Sequence, residues 1–430
     1  MHSGGQGIYL WFLARELARL GHAVSVLVGP PYPDPMPFAR DLSRLPNPQL
    51  WGKRFHPDSA VLLPWPRPLR AFEPLYFYEL AATHFGFLPE PFTFSVRALR
   101  ALVPRLRAGE RFDLLHDVQS LGYGLLALRA IGLPLVTTIH HPLSVDRRAS
   151  FARDRTLREA LGTMEFYPVG MQAFVARRLD RVLTSSELSR REIRKDFGVA
   201  DSRIRNVGNG LDTELFRPLA AVPRASHELL CVGRASDPNK GIDTLLEALR
   251  LLPPEVRLTL VDEDHPLHLA RTRGRELGVA ERVTITGRVP QARLVELYNR
   301  ATLVVVPSRY EGFGLPAAEA MACGTPVVAS AAGALPELLR AGGGGTLSRV
   351  ADPASLAAAI GGLLARSADA RAALGREARA RVVAAYSWAR IAERTVEAYR
   401  EVLAERARGR PARSTTSARD GAWRAAHPAA

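Results

Sequence analysis

The sequence predicts an α/β protein of two doubly wound domains, with parallel sheets flanked by helices, on three observations. A chain of 430 residues with 47% hydrophobic content can bury two cores, and ordinary domain size favours two domains over one. Short β-branched runs such as Leu135–Ile139, Arg257–Val261 and Leu303–Val306 alternate with helical segments, the rhythm of βαβ units whose strands must be covered on both faces. Glycines mark the passages from strand to helix, above all Gly312 and Gly314.

The most informative stretch runs from Pro307 to Glu337, PSRYEGFGLPAAEAMACGTPVVASAAGALPE. Leu303–Val306 reads as a buried strand, closed by Pro307. A tight turn through Gly312 and Gly314 follows, and Pro316 stands where a helix can start without losing a donor it would have used. Ala317–Ala322 are strong helix formers, Gly324 and Pro326 stop the helix, and Val327–Ser330 is the next strand. A helix N-terminus reached through glycines offers free N–H groups and a partial positive charge, which suits a bound phosphate. Glu311 lies on the turn and Glu319 within the helix, so both carboxylates can face one pocket and accept hydrogen bonds from sugar hydroxyls. Two glutamates at this spacing are common by chance; the surrounding residues give the pair its weight.

The stretch resembles the signature of the retaining nucleotide-sugar glycosyltransferases of family 4, with its E-x7-E pattern filled by Glu311 and Glu319. The resemblance implies the GT-B fold of two Rossmann-like domains, with the nucleotide on the second, the acceptor on the first and the last helix crossing back to the first. It implies transfer of a hexose-like sugar from a UDP- or GDP-linked donor to an acceptor hydroxyl, glycan or lipid-linked, with retention at the anomeric carbon. It places Glu311 near the donor sugar's hydroxyls and Glu319 on the ribose, with main-chain groups around Phe313, Gly314 and Leu315 holding sugar and phosphate.

Composition frames this reading without deciding it. No uncharged, strongly apolar run of membrane-spanning length occurs, since the longest candidate, Ala320–Pro336, is mostly Gly, Ala and Pro. Met1–Gly7 is polar and glycine-rich rather than basic then apolar, so the expected location is the cytoplasm. Cys231 and Cys323 read as small buried hydrophobes. No metal-ligand pattern stands out, and neither a metal nor a cofactor is expected. The net charge of +15 is dispersed over helices rather than grouped with stacking aromatics, so no specific nucleic-acid partner is expected. Nearly all of it is Arg, with Lys only at Lys53, Lys195 and Lys240. A basic surface also fits peripheral contact with an anionic membrane at the inner face of the cell.

Along the chain, Gly4, Gly5 and Gly7 predict a glycine loop ahead of an amphipathic helix over Ile8–Leu20, with a strand at Ala23–Val28. The loop resembles the family's N-terminal G-G loop, which approaches donor phosphate and acceptor. A doubly wound domain ordinarily opens with a strand before such a loop, so the reading expects roughly ten further residues upstream. From Pro30 to Pro91 alternation breaks down: 14 of the 32 prolines fall here, among Trp51, Trp65, Phe72, Tyr76, Phe77 and Phe85. A long irregular segment is either functional or a cover for a sheet edge. Strands at Asp113–His116 and Leu135–Ile139 restore the rhythm around a helix over Leu121–Ala130. The second strand runs into TIHHP, which places His140 and His141 at the carboxyl end of a parallel strand, where open α/β sheets bind ligands. Thr138 and His140 resemble the family's T-x-H pattern, so His140 is preferred to His141 as the histidine near the reacting carbon. Asp146, Arg147 and Arg148 either face the acceptor or form a solvated charge cluster.

Helices over Thr156–Arg178, a strand at Arg181–Thr184 and a helix over Glu187–Phe197 capped by Ser186 lead to NVGNGLDTELFRP, which resembles the family's interdomain segment. The second domain opens with a strand at Glu228–Val232. GRASDPNKG then sets Arg234 and Lys240 about a strand-to-helix loop, a forked donor and a point charge suited to a diphosphate; in the family this pair neutralises the leaving group. A strand at Arg257–Val261, a helix near Leu267–Leu277 and a strand at Val283–Ile285 precede the turn of Gly287, Arg288 and Val289, which the resemblance puts beside the nucleobase. Ala354–Leu364, Ala368–Ala385 and Trp388–Glu405 read as helices.

The boundaries expected are 1–212 for the acceptor-side domain, 213–227 for the linker, 228–386 for the donor domain, 387–408 for the crossover helix and 409–430 for a disordered basic tail. Two rival functions are weighed. A nucleotide-dependent oxidoreductase would need G-x-G-x-x-G after a first strand and an acidic ribose ligand further on, and neither stands here. A non-catalytic basic binding protein would rest on net charge alone.

Overall fold

The computed structural model describes residues 4–50, 67–151, 156, 163 and 166–409. The first half holds α1 (Gly4–Arg19), β1 (Ser25–Val28), β2 (Asp41–Arg44), α2 (Pro74–Phe85), α3 (Glu90–Arg107), β3 (Leu115–Val118), α4 (Gly124–Ala130), β4 (Leu135–Ile139), α5 (Leu143–Phe151), α6 (Val169–Ala176), β5 (Arg181–Thr184), α7 (Glu187–Glu192) and β6 (Ile204–Asn206). The second half holds β7 (Glu228–Val232), α8 (Ile242–Leu251), β8 (Arg257–Val261), α9 (Leu269–Glu276), β9 (Val283–Ile285), α10 (Gln291–Arg300), β10 (Leu303–Val306), α11 (Leu315–Ala322), β11 (Val327–Ser330), α12 (Leu335–Gly342), β12 (Gly345–Ser348), α13 (Pro353–Leu364), α14 (Ala368–Tyr386) and α15 (Trp388–Gly409).

Every paired strand is parallel. The second half forms one six-stranded sheet in the order β12-β11-β10-β7-β8-β9. Its order reverses between β7 and β10, and in doubly wound sheets the crevice for a ligand opens at that reversal, at the carboxyl ends of the strands. Leu229, Cys231 and Val305 point to one apolar layer and Leu230, Val304 and Val306 to the other, so alternate residues of the same strand feed both faces. Each large aliphatic side chain buried there contributes roughly 1.5–3 kcal/mol. In the first half, β3-β4-β5-β6 pair in chain order and β1-β2 pair separately; Val24 and Val118 meet in an apolar cluster with Tyr9 and Trp11 of α1.

The proline-rich segment departs from its irregular reading. β2 pairs with β1 in register from Ser25↔Asp41 to Val28↔Arg44, and α2 ends on Gly86 at φ +92°. β2 is short and polar, DLSR, so periodicity could not announce it. Trp51, Trp65, most of the expected helical stretch between Thr156 and Tyr167, and the basic tail past Gly409 lie outside the described residues. Among the described residues no helix is long and apolar enough to cross a membrane. The expected glycine loop is also different: α1 begins at Gly4, so Gly4, Gly5 and Gly7 form its first turns. Glycine costs up to about 1 kcal/mol in a helix, and each added residue gains a propagation hydrogen bond once the turns below are fixed by Tyr9, Phe12 and Leu13 packed on α15.

α15 crosses back to the first half. Its Trp388 stacks on Phe12 at 5.3 Å with an interplanar angle of 5°, and Ala398 and Val402 cover Val136 and Leu183 of β4 and β5. Gly210 is glycine because a Cβ there would collide with the Trp388 ring. The passage at Leu211 bridges to Ser387, with Leu211 N–H on Tyr386 O at 2.8 Å, so the two chain crossings run side by side.

Charged pairs fix the far end of α15. Arg181, only 2% exposed, reaches Glu405 at 2.6 Å and Glu401 at 3.6 Å, and Arg406 reaches Asp180 at 2.8 Å. Glu405→Ala leaves a buried guanidinium with its weaker partner and is expected to cost about 1–2 kcal/mol. Glu393→Ala, which breaks the exposed pair with Arg390 on the same helix, is expected to cost under about 0.5 kcal/mol. Urea unfolding of the two variants compares these values.

Candidate active site

The site is built where β7 and β10 lie side by side. The loop after β7 turns through Pro238–Lys240, capped by the Asp237 side chain on the Asn239 amide, and leaves on Gly241 at φ +66°. A Cβ on Gly241 would collide with the Pro307 carbonyl at the end of β10, so glycine lets the two loops touch. Arg309 N–H donates to Asn239 O at 2.7 Å. Across this junction Lys240 Nζ meets Glu311 Oε1 at 2.7 Å, and Ser308 Oγ donates to the same oxygen at 2.9 Å. The Glu311 carbonyl is held in turn by the Ala334 amide at 2.8 Å, in a corner where a Cβ on Gly333 could not fit.

α11 starts on Gly314, at φ +95° and ψ 51°. A Cβ there would press on Leu335. Phe313 is 8% exposed and packs edge-on to Tyr386 at 5.2 Å, which anchors the turn, while Leu315 at the first helical position is 41% exposed. The start of this helix carries the positive end of its dipole at the carboxyl edge of the sheet, three residues past the Glu311 that Lys240 holds. Arg234 stands exposed on the same loop, and the structure does not join it to the Lys240–Glu311 pair. Its loop is anchored behind by Asp262, which accepts from the Ala235 amide at 2.6 Å and lies 2.9 Å from His268 Nε2.

Glu319 faces Tyr298 of α10, whose hydroxyl donates to Oε2 at 2.7 Å. Burial pushes this carboxyl up to about 7, and the Tyr298 hydrogen bond offsets part of the rise. Gly287 turns at φ +74°, Arg288 is exposed and pairs with Glu263 at 2.5 Å, and Val289 packs against the core of the second half.

On the opposite side, His140 follows β4. Its amide donates to Gln119 Oε1 at 2.9 Å, and its carbonyl accepts from Ser185 at 3.2 Å and from Ser189 at 2.8 Å. Tyr9 meets the imidazole edge-on at 4.6 Å. Burial holds this histidine down at about 4, so it is neutral at physiological pH, and its buried Nε2 has no hydrogen-bond partner among the described residues. His141 instead pairs with Asp146 at 2.9 Å and is raised by it. Arg148 pairs with Asp196 at 2.5 Å. Gly4 and Gly5 lie in the first turn of the helix that carries Tyr9.

The structure therefore brings Lys240, Glu311 and the Gly314 helix end together. The sequence reading did not single out Ser308, Gln119 or Tyr298. Ser308 and Gln119 each follow closely on a strand's carboxyl end, a positional signal available in the sequence; Tyr298 lies in a helix between two recognised segments and gave none.

Glu319 predicts a pH dependence. Between about pH 4.5 and 7 the unfolded chain loses this proton while the folded chain keeps it, so its contribution is complete below about pH 4.5, falls as pH rises through 7 and is flat beyond. Glu319→Gln is expected to remove that slope, gaining on the order of 2 kcal/mol relative to wild type between about pH 5 and 8. Denaturant unfolding at the two pH values measures it.

Comparison with known proteins bears on the family and the fold. The family model described as Glycosyltransferase Family 4 matches residues 3–215, and the one described as Glycosyl transferases group 1 matches residues 226–366. An MMP alpha-(1->4)-mannosyltransferase from Mycolicibacterium hassiacum is 39% identical over 410 residues, covering 94% of this chain and 96% of that one. D-inositol 3-phosphate glycosyltransferase 1 from Catenulispora acidiphila is 32% identical over 332 residues, 71% of this chain and 76% of its own length. Among solved structures, sucrose-phosphate synthase from Thermosynechococcus elongatus superposes with a TM-score of 0.66 at 28% identity, covering 94% of both chains. HepE of Anabaena, solved with UDP and glucose, gives 0.61 at 20% identity, covering 92% of this chain and 95% of its own. Of the three functions weighed from the sequence, only the transferase agrees with relatives spanning nearly the whole length, and the chain belongs to glycosyltransferase family 4, as a hexosyltransferase of GT-B fold.

Proposed function

We propose that the protein transfers a hexosyl group, mannosyl by likeness to its 39% identical relative, from a nucleoside diphosphate sugar to a sugar hydroxyl, with retention at the anomeric carbon. The observation that carries this is the convergence of Lys240, Glu311 and the Gly314 helix end at the strand-order reversal. Breaking the bond from sugar to phosphate leaves negative charge on the diphosphate and positive character on the sugar. Arg234, Lys240 and the first amides of α11 receive the diphosphate; fixed donors of this kind contribute about 3 kcal/mol each to the transition state. Glu311 accepts from the sugar's hydroxyls, with main-chain groups of Phe313, Gly314 and Leu315 beside it. Glu319 takes the ribose, and Gly287, Arg288 and Val289 flank the base. The acceptor oxygen forms its bond to the anomeric carbon on the face the diphosphate leaves, and its proton passes to the departing phosphate oxygen. The neutral His140 Nε2 contacts the sugar near that carbon. Glu311 is assigned to positioning rather than covalent attack.

The acceptor side lies on the first half, in the terms of residues 1–212 and 228–386 as the two functional halves. Leu69, Phe72, Phe77 and Phe85 are 59–79% exposed there, with Arg67 and Arg70 alongside. This grouping supports peripheral contact with an anionic membrane at its cytoplasmic face, since apolar rings and basic side chains together favour an interfacial position. Sedimentation with phosphatidylserine vesicles is expected for wild type and to be lost in Phe72→Asp/Phe77→Asp; equal sedimentation of both removes the membrane from the proposal.

Calorimetry with UDP, GDP and ADP tests the donor site. One nucleoside diphosphate is expected to bind, and Arg234→Ala and Lys240→Ala each to weaken it by about ten- to a hundredfold. Absence of binding to folded wild-type protein overturns the proposal. Product analysis with GDP-mannose and UDP-glucose then identifies the sugar.

A further inference from the structure

A hydroxyl group lies where the two sides of the site meet. Ser186 caps α7 by accepting from the Ser189 amide at 3.1 Å. Its Oγ also lies 3.0 Å from the carbonyl of Gly312, on the glycine turn next to Glu311, and 3.1 Å from Ser189 Oγ. Ser189 Oγ donates its own hydrogen to the carbonyl of His140 at 2.8 Å. A path thus runs from the His140 carbonyl through the hydroxyl and the amide of Ser189 to the Ser186 hydroxyl, and from there to the turn that carries the glutamate. Ser186 is 1% exposed and Ser189 fully buried, so water does not compete for these groups.

We propose that Ser186 is a positioning residue that sets His140 and the Glu311 turn in register when the cleft is closed. A serine hydroxyl has one hydrogen to give, and here two acceptors stand within reach, Gly312 O and Ser189 Oγ. With the cleft closed the hydrogen goes to Gly312. When the second half swings away, the hydroxyl turns to Ser189 and stays satisfied, so opening leaves no buried polar group unpaired. Neighbouring contacts cross the same seam, among them Asn206 Nδ2, which donates to Glu337 Oε1 at 3.2 Å. The Glu187 amide donates to Glu337 Oε2 at 2.9 Å, and the Tyr310 hydroxyl donates to Glu192 Oε2 at 3.0 Å. These add to the closed seam; among the described residues, the Ser186 path is the one that ends on His140 and on the Glu311 turn. The adjacent chain crossings at Leu211 and Ser387 are where such a swing can be absorbed, since a few residues at element ends carry most hinge motions.

This inference rests on the transferase reading for its consequence in rate, but not for the closure itself. Capping needs only an acceptor, so Ser186→Asp keeps the cap and cannot donate to Gly312, whereas Ser186→Thr keeps both functions. The measurements are the radius of gyration by small-angle scattering, urea unfolding, GDP and UDP affinity, and nucleoside diphosphate release from GDP-mannose and UDP-glucose. Ser186→Asp is expected to match wild type in nucleotide affinity, to lose some unfolding stability to its buried carboxylate, to have a larger radius of gyration, and to lose tenfold or more in kcat; Ser186→Thr should stay within about threefold of wild type. If the buried carboxylate prevents folding, Ser189→Ala answers in its place: it severs the path to His140 while leaving Ser186 on Gly312, and should lower kcat without altering the radius of gyration. An unchanged radius in Ser186→Asp, or a kcat loss matched by lost nucleotide affinity, overturns the proposal. Should wild type turn over neither sugar nucleotide, the donor reading fails while the scattering result still decides the latch.

Discussion

Everything in the donor half depends on the contact between two loops at the carboxyl ends of β7 and β10. Gly241 lies against the Pro307 carbonyl at a distance that admits no side chain. That close approach puts Lys240 within ion-pair distance of Glu311, three residues before the helix that starts on Gly314. Sheet order makes the site: had β10 been placed beyond β9, the same loops would be separated by the width of the sheet. The reversal places β7 and β10 side by side, and glycine geometry then closes the remaining gap.

Burial sets the protonation of the groups around this junction. Removal from water favours the neutral form of both acids and bases, so it raises Glu319 and lowers His140. The histidine is thereby neutral at physiological pH, held by its backbone bonds to Gln119, Ser185 and Ser189. Lys240 and Glu311 form a partly buried pair in which each ion satisfies the other, the arrangement low polarity requires of charges. A diphosphate arriving at Lys240 would compete with Glu311 for that ammonium, which would release the carboxylate toward sugar hydroxyls.

The first half is joined to this site by packing at one end and hydrogen bonds at the other. α15 carries Trp388 onto Phe12 and ends among Asp180, Arg181, Glu405 and Arg406, so the last helix is a structural part of the half that begins the chain. Tyr399 on the same helix bonds His116 Nδ1 at 2.6 Å, and His116 Nε2 bonds Thr138 Oγ1 at 2.7 Å, two residues before His140. The crossover helix thus supports the strand that presents the histidine.

Local chemistry made much of this legible in advance. Strands β4, β5, β7, β8, β9, β10 and β11 read at their observed bounds because they are short runs of Val, Leu and Ile with clear breaks at Gly, Pro or charged residues. The glycine turn before α11 and the cap at Ser186 read as well, since turn and cap geometry is decided by a few adjacent residues. The polar strand β2, β12 of Gly345–Ser348 and the helices α10 and α12 did not, and Gly4–Gly5 read as a loop where the chain is helical. In each case the outcome is set by neighbours distant in sequence: β2 by its ladder to β1, β12 by β11, and the first turn of α1 by α15. The sequence by itself determined most of the strands of the two larger sheets, where the glycine turns lie and which residue types they offer. Tertiary structure alone decided that Glu311 meets Lys240 and Ser308, that Glu319 meets Tyr298, and that Ser186 reaches Gly312. Those contacts depend on strand order and on the closing of two halves, which bring together residues 71 and 126 positions apart, and no local propensity encodes a distance of that kind.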